Sequence, residues 1–184
     1  NKKLDIGACR NLKSYSFFDY IKRILWTITS PAFFLSPRNM FYWRSFLLRI
    51  FGAKVGKNVN IYPSAKIYMP WNLKIGEFSS IGEWALIYNI GEVEIGKSVT
   101  ISHKTQLCSG THDYKNPKLP LIKKRIIIHD YVWICTDAFI GPGCEIGEGS
   151  IVGAKTVVVK NLGNWSIFVG NPAKFLKRRE IMKN

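Results

Sequence analysis

The sequence predicts an all-β fold, a three-sided parallel β-helix preceded by helices and followed by a basic tail. An aliphatic residue returns every sixth position over the last two thirds of the chain and is often followed by glycine, as in Ile75-Gly76, Ile81-Gly82 and Ile95-Gly96. A small or branched residue stands four places after many of these, for example Ala85 and Val99. A period of six is typical of neither an amphipathic helix nor an alternating strand, but of a coil with three six-residue sides.

The first element, residues 1–54, differs in composition and is predicted to be a helical cap. It carries ten lysine or arginine residues against Asp5 and Asp19, and it is dense in aromatic residues. The pattern predicts helices from Phe17 to Ser30 and from Phe41 to Phe51, with Pro31 and Pro37 marking the break. No apolar run reaches the roughly 18 residues that would indicate a transmembrane span. We expect the aromatics to cover the open first coil, and we expect residues 15–51 to contact a membrane surface in addition.

The second element, residues 55–172, is the β-helix. Each aliphatic side chain would point into the prism and stack on its equivalents in the coils above and below. We expect the following glycine to lie at a corner and to adopt a positive φ there, which costs glycine no Cβ clash. The repeat is long enough for about five to six coils, whereas such a stack needs about three.

The repeat is interrupted once at length, and a basic tail follows it. Pro117 and Pro120 cannot donate to a strand ladder, so residues 112–127 are predicted to leave the prism as a loop. Loops that are held on a rigid scaffold often carry function. Residues 173–184 are predicted to form a short basic helix.

The formal net charge of +15 favours an anionic partner, such as nucleic acid, lipid headgroups or a phosphorylated small molecule. The aromatics lie in apolar runs and not on a basic strand face, which argues against nucleic acid. The four cysteines form no C-x-x-C pair, and no signal peptide is expected. We therefore expect a cytoplasmic protein, peripheral on the inner membrane face where the first segment touches lipid.

Several motifs resemble those of the hexapeptide-repeat acyltransferases. They are the hexads, the loop opening Ser109-Gly110-Thr111-His112-Asp113 and the ending Val169-Gly170-Asn171-Pro172-Ala173-Lys174. The segments 48–56 and 69–76 are similar to the colanic acid biosynthesis acetyltransferase group, which is related to galactoside, maltose and nodulation-factor O-acetyltransferases. The resemblance implies a left-handed parallel β-helix, a homotrimer, and acetyl-CoA bound in the groove between neighbouring chains.

The resemblance also implies which residues carry the chemistry. Acyl transfer from a thioester to a hydroxyl needs a base for the hydroxyl proton, and imidazole suits this role. His112 stands where the family's catalytic histidine occurs, whereas His103 and His129 are expected to be solvated surface residues. Asp113 would either orient the imidazole or stabilise the turn.

The oxyanion would be met by the hydroxyl or the backbone N–H of Thr136, three residues after Trp133. The resemblance places Trp133 beside acetyl-CoA and backbone contacts to its pantetheine arm at Ala154 and Val159. Clustered basic residues suit its phosphates, and the candidates are Lys160 with Lys174, Arg178 or Arg179. Gly82 stands where galactoside relatives have an asparagine near the acceptor, so a different acceptor pocket is expected. Its candidate lining residues are Trp84, Tyr88, Asn89 and Asp113.

The hypothesis is an acetyl-CoA-dependent O-acetyltransferase that acts on a free or lipid-linked sugar in exopolysaccharide, capsule or lipopolysaccharide assembly. Transfer would be direct and would require no metal. A nucleotide-sugar N-acetyltransferase and a non-enzymatic β-solenoid binding protein are the alternatives. A β-helical carbonic anhydrase would need three histidines that converge on Zn²⁺, and no such set is apparent among the three present.

Overall fold

The computed structural model describes residues 14–182 together with Leu4 and Gly7. Two helices, α1 (Phe17–Phe34) and α2 (Phe41–Ile50), precede a stack of very short strands. The strands visit three sheets in turn, so that three consecutive strands make one coil. Within the described residues, no helix is long and apolar enough to cross a membrane.

The three sheets are parallel within the stack. Sheet A contains β1 (Lys54–Val55), β4 (Leu73–Ile75), β7 (Val93–Ile95), β12 (Ile126–Ile128) and β15 (Glu145–Ile146). Sheet B contains β2 (Asn60–Ile61), β5 (Ser80–Ile81), β8 (Thr100–Ile101), β13 (Trp133–Ile134), β16 (Ile151–Val152), β18 (Ser166–Val169) and β19 (Lys174–Arg178). Sheet C contains β3 (Lys66–Ile67), β6 (Leu86–Tyr88), β9 (Gln106–Cys108), β14 (Phe139–Ile140) and β17 (Val157–Val158).

The repeating aliphatic residues form the core, as the period of six predicts. In sheet B, Ile61 pairs with Ile81, which pairs with Ile101, and the column continues upward. All three side chains are fully buried or nearly so. Because each buried residue rests on its equivalent in the next coil, burial is continuous along the axis. The predicted three-sided parallel β-helix is confirmed.

Three edges join the sheets, and their turns carry most of the exposed residues. The B–C edge consists of turns 62–65, 82–85, 102–105, 135–138 and 153–156. The C–A edge consists of turns 68–72, 89–92, 141–144 and 159–161 and of the excursion 109–125. The A–B edge consists of turns 56–59, 76–79, 96–99, 129–132, 147–150 and 163–165.

The glycine after the aliphatic residue is required for a different reason from the predicted one. Gly76 does not have a positive φ; the positive φ falls two residues later, at Phe78 with 59°. A Cβ on Gly76 would instead lie 2.6 Å from the carbonyl carbon of Gly96 in the next coil. The expectation of a positive φ is therefore wrong, and close approach between the backbones of stacked coils explains these glycines.

We expect Gly76→Ala to destabilise the protein by about 1–3 kcal/mol, because the new methyl group meets backbone that cannot move aside. Gly163→Ala is the matched control, since a Cβ there would have nothing within 4 Å. Urea unfolding of the two variants measures the difference. Equal stability of G76A and G163A would contradict the packing argument.

The helical segment covers the first coil through buried side chains on both helices. Trp26 and Phe33 of α1 and Leu48 of α2 belong to the hydrophobic core. The indole N–H of Trp26 donates to the carbonyl of Ile67 at 2.9 Å. These contacts attach the helices to the open end of the prism, where an uncovered coil would expose its core.

Helix α1 continues through Pro31 to Phe34, so the predicted break at Pro31 is wrong. A proline in a helix leaves the carbonyl four residues earlier without its backbone donor. That carbonyl belongs to Thr27, and the hydroxyl of Ser30 donates to it at 3.0 Å. Residues 35–40 separate the two helices. Helix α2 then runs from Phe41 to Ile50 and ends one residue before the predicted Phe51.

The predicted loop is a β-hairpin, and it ends earlier than expected. Strands β10 (Gly110–His112) and β11 (Leu121–Lys123) pair antiparallel. Ile126 is fully buried and pairs with Val93, so residues 126 and 127 belong to the prism and not to the loop 112–127. An isoleucine at this inward position restores the period of six.

The predicted C-terminal helix is instead the strand β19. It runs antiparallel to β18, whose outer edge would otherwise leave its backbone groups unpaired. The ring of Phe175 packs edge-to-face on Phe168 at 6.0 Å between centroids. An available sheet edge and this aromatic pair outweigh the helix propensity of the tail.

Candidate active site

His112 ends β10 and is exposed on the hairpin. Its Nδ1 lies 2.6 Å from the carbonyl oxygen of Leu119 across the hairpin. A carbonyl oxygen can only accept a hydrogen bond, so Nδ1 carries the proton in the neutral ring. The lone pair is then on Nε2, which is the atom that can accept a proton from a substrate hydroxyl.

The base of the hairpin lies tightly against the prism. A Cβ on Gly110 would lie 2.3 Å from Cδ1 of Ile90, so a larger residue here would displace that buried side chain. Further out, the carboxylate of Asp113 accepts from the backbone N–H of Lys115 at 3.0 Å. Of the two roles predicted for Asp113, the structure shows the turn-stabilising one.

Thr136 lies in a turn of the B–C edge, next to His103. Its hydroxyl donates to the carbonyl of His103 at 3.1 Å and lies 2.8 Å from Nε2 of the same residue. The hydroxyl is thus already engaged, whereas the backbone N–H of Thr136 has no hydrogen-bond acceptor among the described residues. His103 is exposed, as predicted, but both its carbonyl and its ring contact the hydroxyl of Thr136.

Several predicted residues share the B–C edge. Backbone hydrogen bonds connect its successive turns, from Lys104 to Glu83 at 2.8 Å and from Lys155 to Thr136 at 2.9 Å. Trp84 and Ala154 lie exposed in two of these turns. The backbone N–H of Ala173 donates to Val157, which brings Lys174 to the end of the same edge.

Other predicted residues lie elsewhere. Val159 and Lys160 follow β17 at the C–A edge, where the hairpin of His112 also leaves the prism. Arg178 and Arg179 donate to backbone carbonyls of the A–B edge, those of Asn164 and Gly149 among them. Within a single chain the predicted phosphate-binding residues are therefore spread over all three edges of the prism. His112 lies at the C–A edge and Thr136 at the B–C edge.

Two of the predicted acceptor residues have structural roles. Asn89 is fully buried, and its amide bonds both the N–H and the carbonyl of Met69, at 2.9 and 2.6 Å. Its prediction as a lining residue is wrong, because no part of it faces solvent. Tyr88 is half-buried on the outside of sheet C, with its ring 4.9 Å from that of Tyr68.

Trp133 lies on the outer face of sheet B and is partly exposed. Its indole N–H donates to the hydroxyl of Ser102 at 3.0 Å, which holds the ring beside the B–C edge. Trp133 precedes Thr136 by three residues and lies beside the turn that carries it.

A cleft beside the B–C edge was missed by sequence reasoning. It has a volume of about 320 Å³. Its polar lining includes Arg38, Tyr62, Glu83, Ser102 and His103. Arg38 and Glu83 form an ion pair at 3.1 Å. Arg38 precedes the β-helix and Tyr62 lies in its first coil, so nothing in the local sequence connects them with His103.

A second cluster joins α1 to the hairpin, and we call it the tyrosine clasp (Tyr15, Arg23, Tyr68, Tyr88 and Lys123). The guanidinium of Arg23 donates to the hydroxyl of Tyr68 at 2.6 Å. The ammonium of Lys123, on β11, lies 4.4 Å from the ring centroid of Tyr15. Burial raises the pKa of Tyr15 to about 12. The clasp connects segments too far apart in sequence to be predicted.

No group of three or more histidine, cysteine, aspartate or glutamate side chains that could hold a metal ion occurs among residues 14–182, Leu4 and Gly7. The arrangement therefore offers an imidazole, a backbone N–H and basic side chains. Such groups suit proton transfer and anion binding.

Comparison with known proteins identifies relatives of this chain. The family model described as bacterial transferase hexapeptide (six repeats) matches residues 125–160. WcaF of Escherichia coli (strain K12), named as a colanic acid biosynthesis acetyltransferase, is 40% identical over 157 residues, which cover 85% of this chain and 86% of the relative.

Solved structures share the fold over nearly the whole chain. A hexapeptide-repeat acetyltransferase of Vibrio cholerae has a TM-score of 0.81 at 25% identity, with coverage of 90% of this chain and 95% of that one. A complex of a Vibrio cholerae O1 biovar eltor acetyltransferase with acetyl coenzyme A has a TM-score of 0.82 at 22% identity, with coverage of 92% and 93%. A maltose O-acetyltransferase of Clostridium difficile 630 has a TM-score of 0.81 at 22% identity, with coverage of 98% and 100%.

Proposed function

This chain belongs to the hexapeptide-repeat acetyltransferases, in the group of the colanic acid biosynthesis acetyltransferases, and from this we propose that it transfers acetyl from acetyl-CoA to a sugar hydroxyl. The setting would be the assembly of exopolysaccharide, capsule or lipopolysaccharide. The observation that carries the proposal is the contact of Nδ1 of His112 with the Leu119 carbonyl, which leaves Nε2 as a base. The relative's name and the acetyl-CoA complex of the Vibrio structure support the donor and the reaction class.

In the proposed reaction, Nε2 of His112 takes the proton of the sugar hydroxyl as its oxygen bonds to the thioester carbonyl carbon. The carbonyl oxygen becomes an oxyanion, and the backbone N–H of Thr136 donates to it. The carbon–sulfur bond then breaks, and the imidazolium returns the proton to the departing thiolate. The products are the acetylated sugar and free CoA.

Direct transfer is supported by the state of the cysteine beside Thr136. Burial raises the pKa of the Cys135 thiol, which keeps it protonated. A protonated thiol is a poor nucleophile. An acetyl-enzyme intermediate at this position is therefore not part of the proposal.

We place the complete site between two copies of the chain in a homotrimer. In a single chain, His112 lies at the C–A edge of the prism and Thr136 at the B–C edge, so sheet C separates them. A neighbouring copy that packs side by side brings the hairpin of one chain to the B–C edge of the other. Each trimer then has three sites, and basic residues from both chains meet the CoA phosphates.

The acceptor sugar is placed in the cleft lined by Arg38, Glu83 and His103. Its ion pair and polar side chains provide both donors and acceptors, which a sugar's hydroxyl groups need. Trp84 lies exposed in the turn that carries Glu83, where an aromatic face can pack on a sugar ring. We place the enzyme in the cytoplasm, at the inner face of the membrane.

The test is an acetyl-transfer assay with radiolabelled acetyl-CoA and a panel of free, nucleotide-linked and lipid-linked sugars. We expect label in an alkali-labile ester on one class of sugar, and a sedimentation mass three times the 21.0 kDa of one chain. An alkali-stable product would indicate N-acetylation instead. Failure to bind acetyl-CoA in a thermal-shift titration would overturn the proposal in favour of a binding protein.

A further inference from the structure

Helix α1 has two apolar faces, and only one of them packs on the part of the chain that the structure describes. Trp26 and Phe33 point into the core. The opposite face consists of residues at helical spacing, three or four apart along the chain. They are Phe17, Phe18, Ile21, Ile24, Leu25 and Ile28, and they are between 39% and 74% exposed.

The composition of this outer face is unusual for a surface in contact with water. A single exposed aliphatic residue needs no explanation, but a contiguous row of six marks an interaction surface. The one acidic residue of α1, Asp19, is turned back onto the backbone and hydroxyl of Ser16 at the start of the helix. The outer face is therefore apolar along its whole length, and basic residues lie at its borders.

The surrounding charge is positive. Lys22 is exposed on the same helix, and Arg23 lies where the helix meets the body of the protein, with its guanidinium on the hydroxyl of Tyr68. The chain as a whole has a formal net charge of +15. An apolar helix face bordered by lysine and arginine is the pattern of a helix that lies in the interface of an anionic bilayer.

We propose that the outer face of α1 docks on an anionic lipid bilayer, with the helix parallel to its surface. At about 1.5 Å per residue, a helix of this length covers roughly 27 Å of membrane surface. A second copy of the chain is a weaker candidate for this face. A two-fold contact would bring the same lysine and arginine residues of both copies together, and like charges repel. The three-fold contact proposed above joins the hairpin of one chain to the B–C edge of the next and does not use this face.

Docking orients the candidate active site, a consequence that rests on the proposed function. Arg23 of α1 lies between the rings of Tyr15 and Tyr68, 5.1 and 5.0 Å from their centroids. Lys123 of the hairpin lies over the same Tyr15 ring. The tyrosine clasp thus connects the docked helix to the hairpin of His112, which keeps the base at a constant height above the bilayer. Such an enzyme favours a lipid-linked acceptor over a free sugar.

Sedimentation with vesicles tests the docking without any measurement of activity. The probes are vesicles of phosphatidylcholine alone and of phosphatidylcholine mixed with phosphatidylglycerol. We expect the wild-type protein to bind the anionic vesicles, and to bind them more weakly as NaCl is raised. Ile28→Asp, on this face and 71% exposed in the wild type, should lower the partition coefficient by about tenfold or more.

Phe78→Asp is the matched control, because Phe78 is similarly exposed at 62% but lies at the A–B edge. It should bind vesicles as the wild type does, and both variants should keep the wild-type melting temperature. Absence of wild-type binding to anionic vesicles would overturn the proposal, and so would equal binding by I28D. A change of sedimentation mass in I28D would assign the face to a second copy. Because vesicle binding requires no catalysis, these outcomes are independent of the acetyl-transfer assay.

Discussion

Replacing His112 by alanine is expected to lower kcat by about two to four orders of magnitude, the usual contribution of a positioned general base. The variant loses the Nε2 lone pair that would take the hydroxyl proton. Its KM for acetyl-CoA should change little, because the imidazole acts on the acceptor hydroxyl and not on the donor. Steady-state kinetics with the acceptor identified by the panel measures both constants.

His129→Ala is the matched control for this experiment. His129 is also exposed, but it lies at the A–B edge with its Nε2 2.6 Å from a carboxylate oxygen of Glu145. It should retain wild-type kcat, and both variants should retain the sedimentation mass of the wild type. Near-wild-type turnover in H112A would remove His112 from the mechanism, whatever the acceptor.

Replacing Arg44 by methionine is expected to destabilise the protein by about 2–4 kcal/mol, because hydrogen bonds from a charged donor are lost and a buried carbonyl is left without this partner. Arg44 lies on α2 and is fully buried. Its guanidinium donates to the carbonyls of Ile61 and Arg38, at 2.5 and 2.6 Å, and to further acceptors at the end of α1. Methionine fills most of the space but donates to none of them, so the buried carbonyl of Ile61 and the less buried acceptors of the turn after α1 lose this donor.

Arg49→Ala provides the control on the same helix. Arg49 also donates to two carbonyls, those of Val55 and Gly56, but it is exposed, so water replaces the lost hydrogen bonds. Its effect should stay below about 1 kcal/mol. Urea unfolding at a fixed protein concentration measures both variants. A loss in R44M no larger than that in R49A would show that the cap does not depend on this residue.

The repeat made the β-helix predictable because its signal is local and redundant. Each coil places an aliphatic residue such as Ile81 at the same inward position. A wrong prediction for one coil therefore does not shift the predicted positions in the next. The interruption at His112 was visible for the same reason, since prolines break a period that is otherwise regular. The wrong boundary at Ile126 arose because an isoleucine is apolar whether it ends a loop or begins a strand.

The errors arose from hydrogen-bond partners that the pattern of residue types does not reveal. Pro31 reads as a break, yet a hydroxyl one residue earlier replaces the missing donor. The tail reads as a helix, yet the free edge of β18 pairs with it. Asn89 reads as a polar surface residue, yet it bonds the backbone of the neighbouring coil. For the tail and for Asn89 the deciding partner lies at an open edge or in another coil, whereas for Pro31 it is the neighbouring Ser30 of the same helix.

The primary structure by itself determined the architecture of this protein, the position of its one long excursion and the identity of the imidazole on it. Those features follow from spacing along the chain, which sets which side chains point inward. Only the tertiary structure decided which nitrogen of His112 faces the Leu119 carbonyl, that His103 holds Thr136, and that α1 leaves an apolar face uncovered by the described residues. These depend on contacts between residues far apart in sequence, and such contacts form only when coils, hairpin and cap meet in three dimensions.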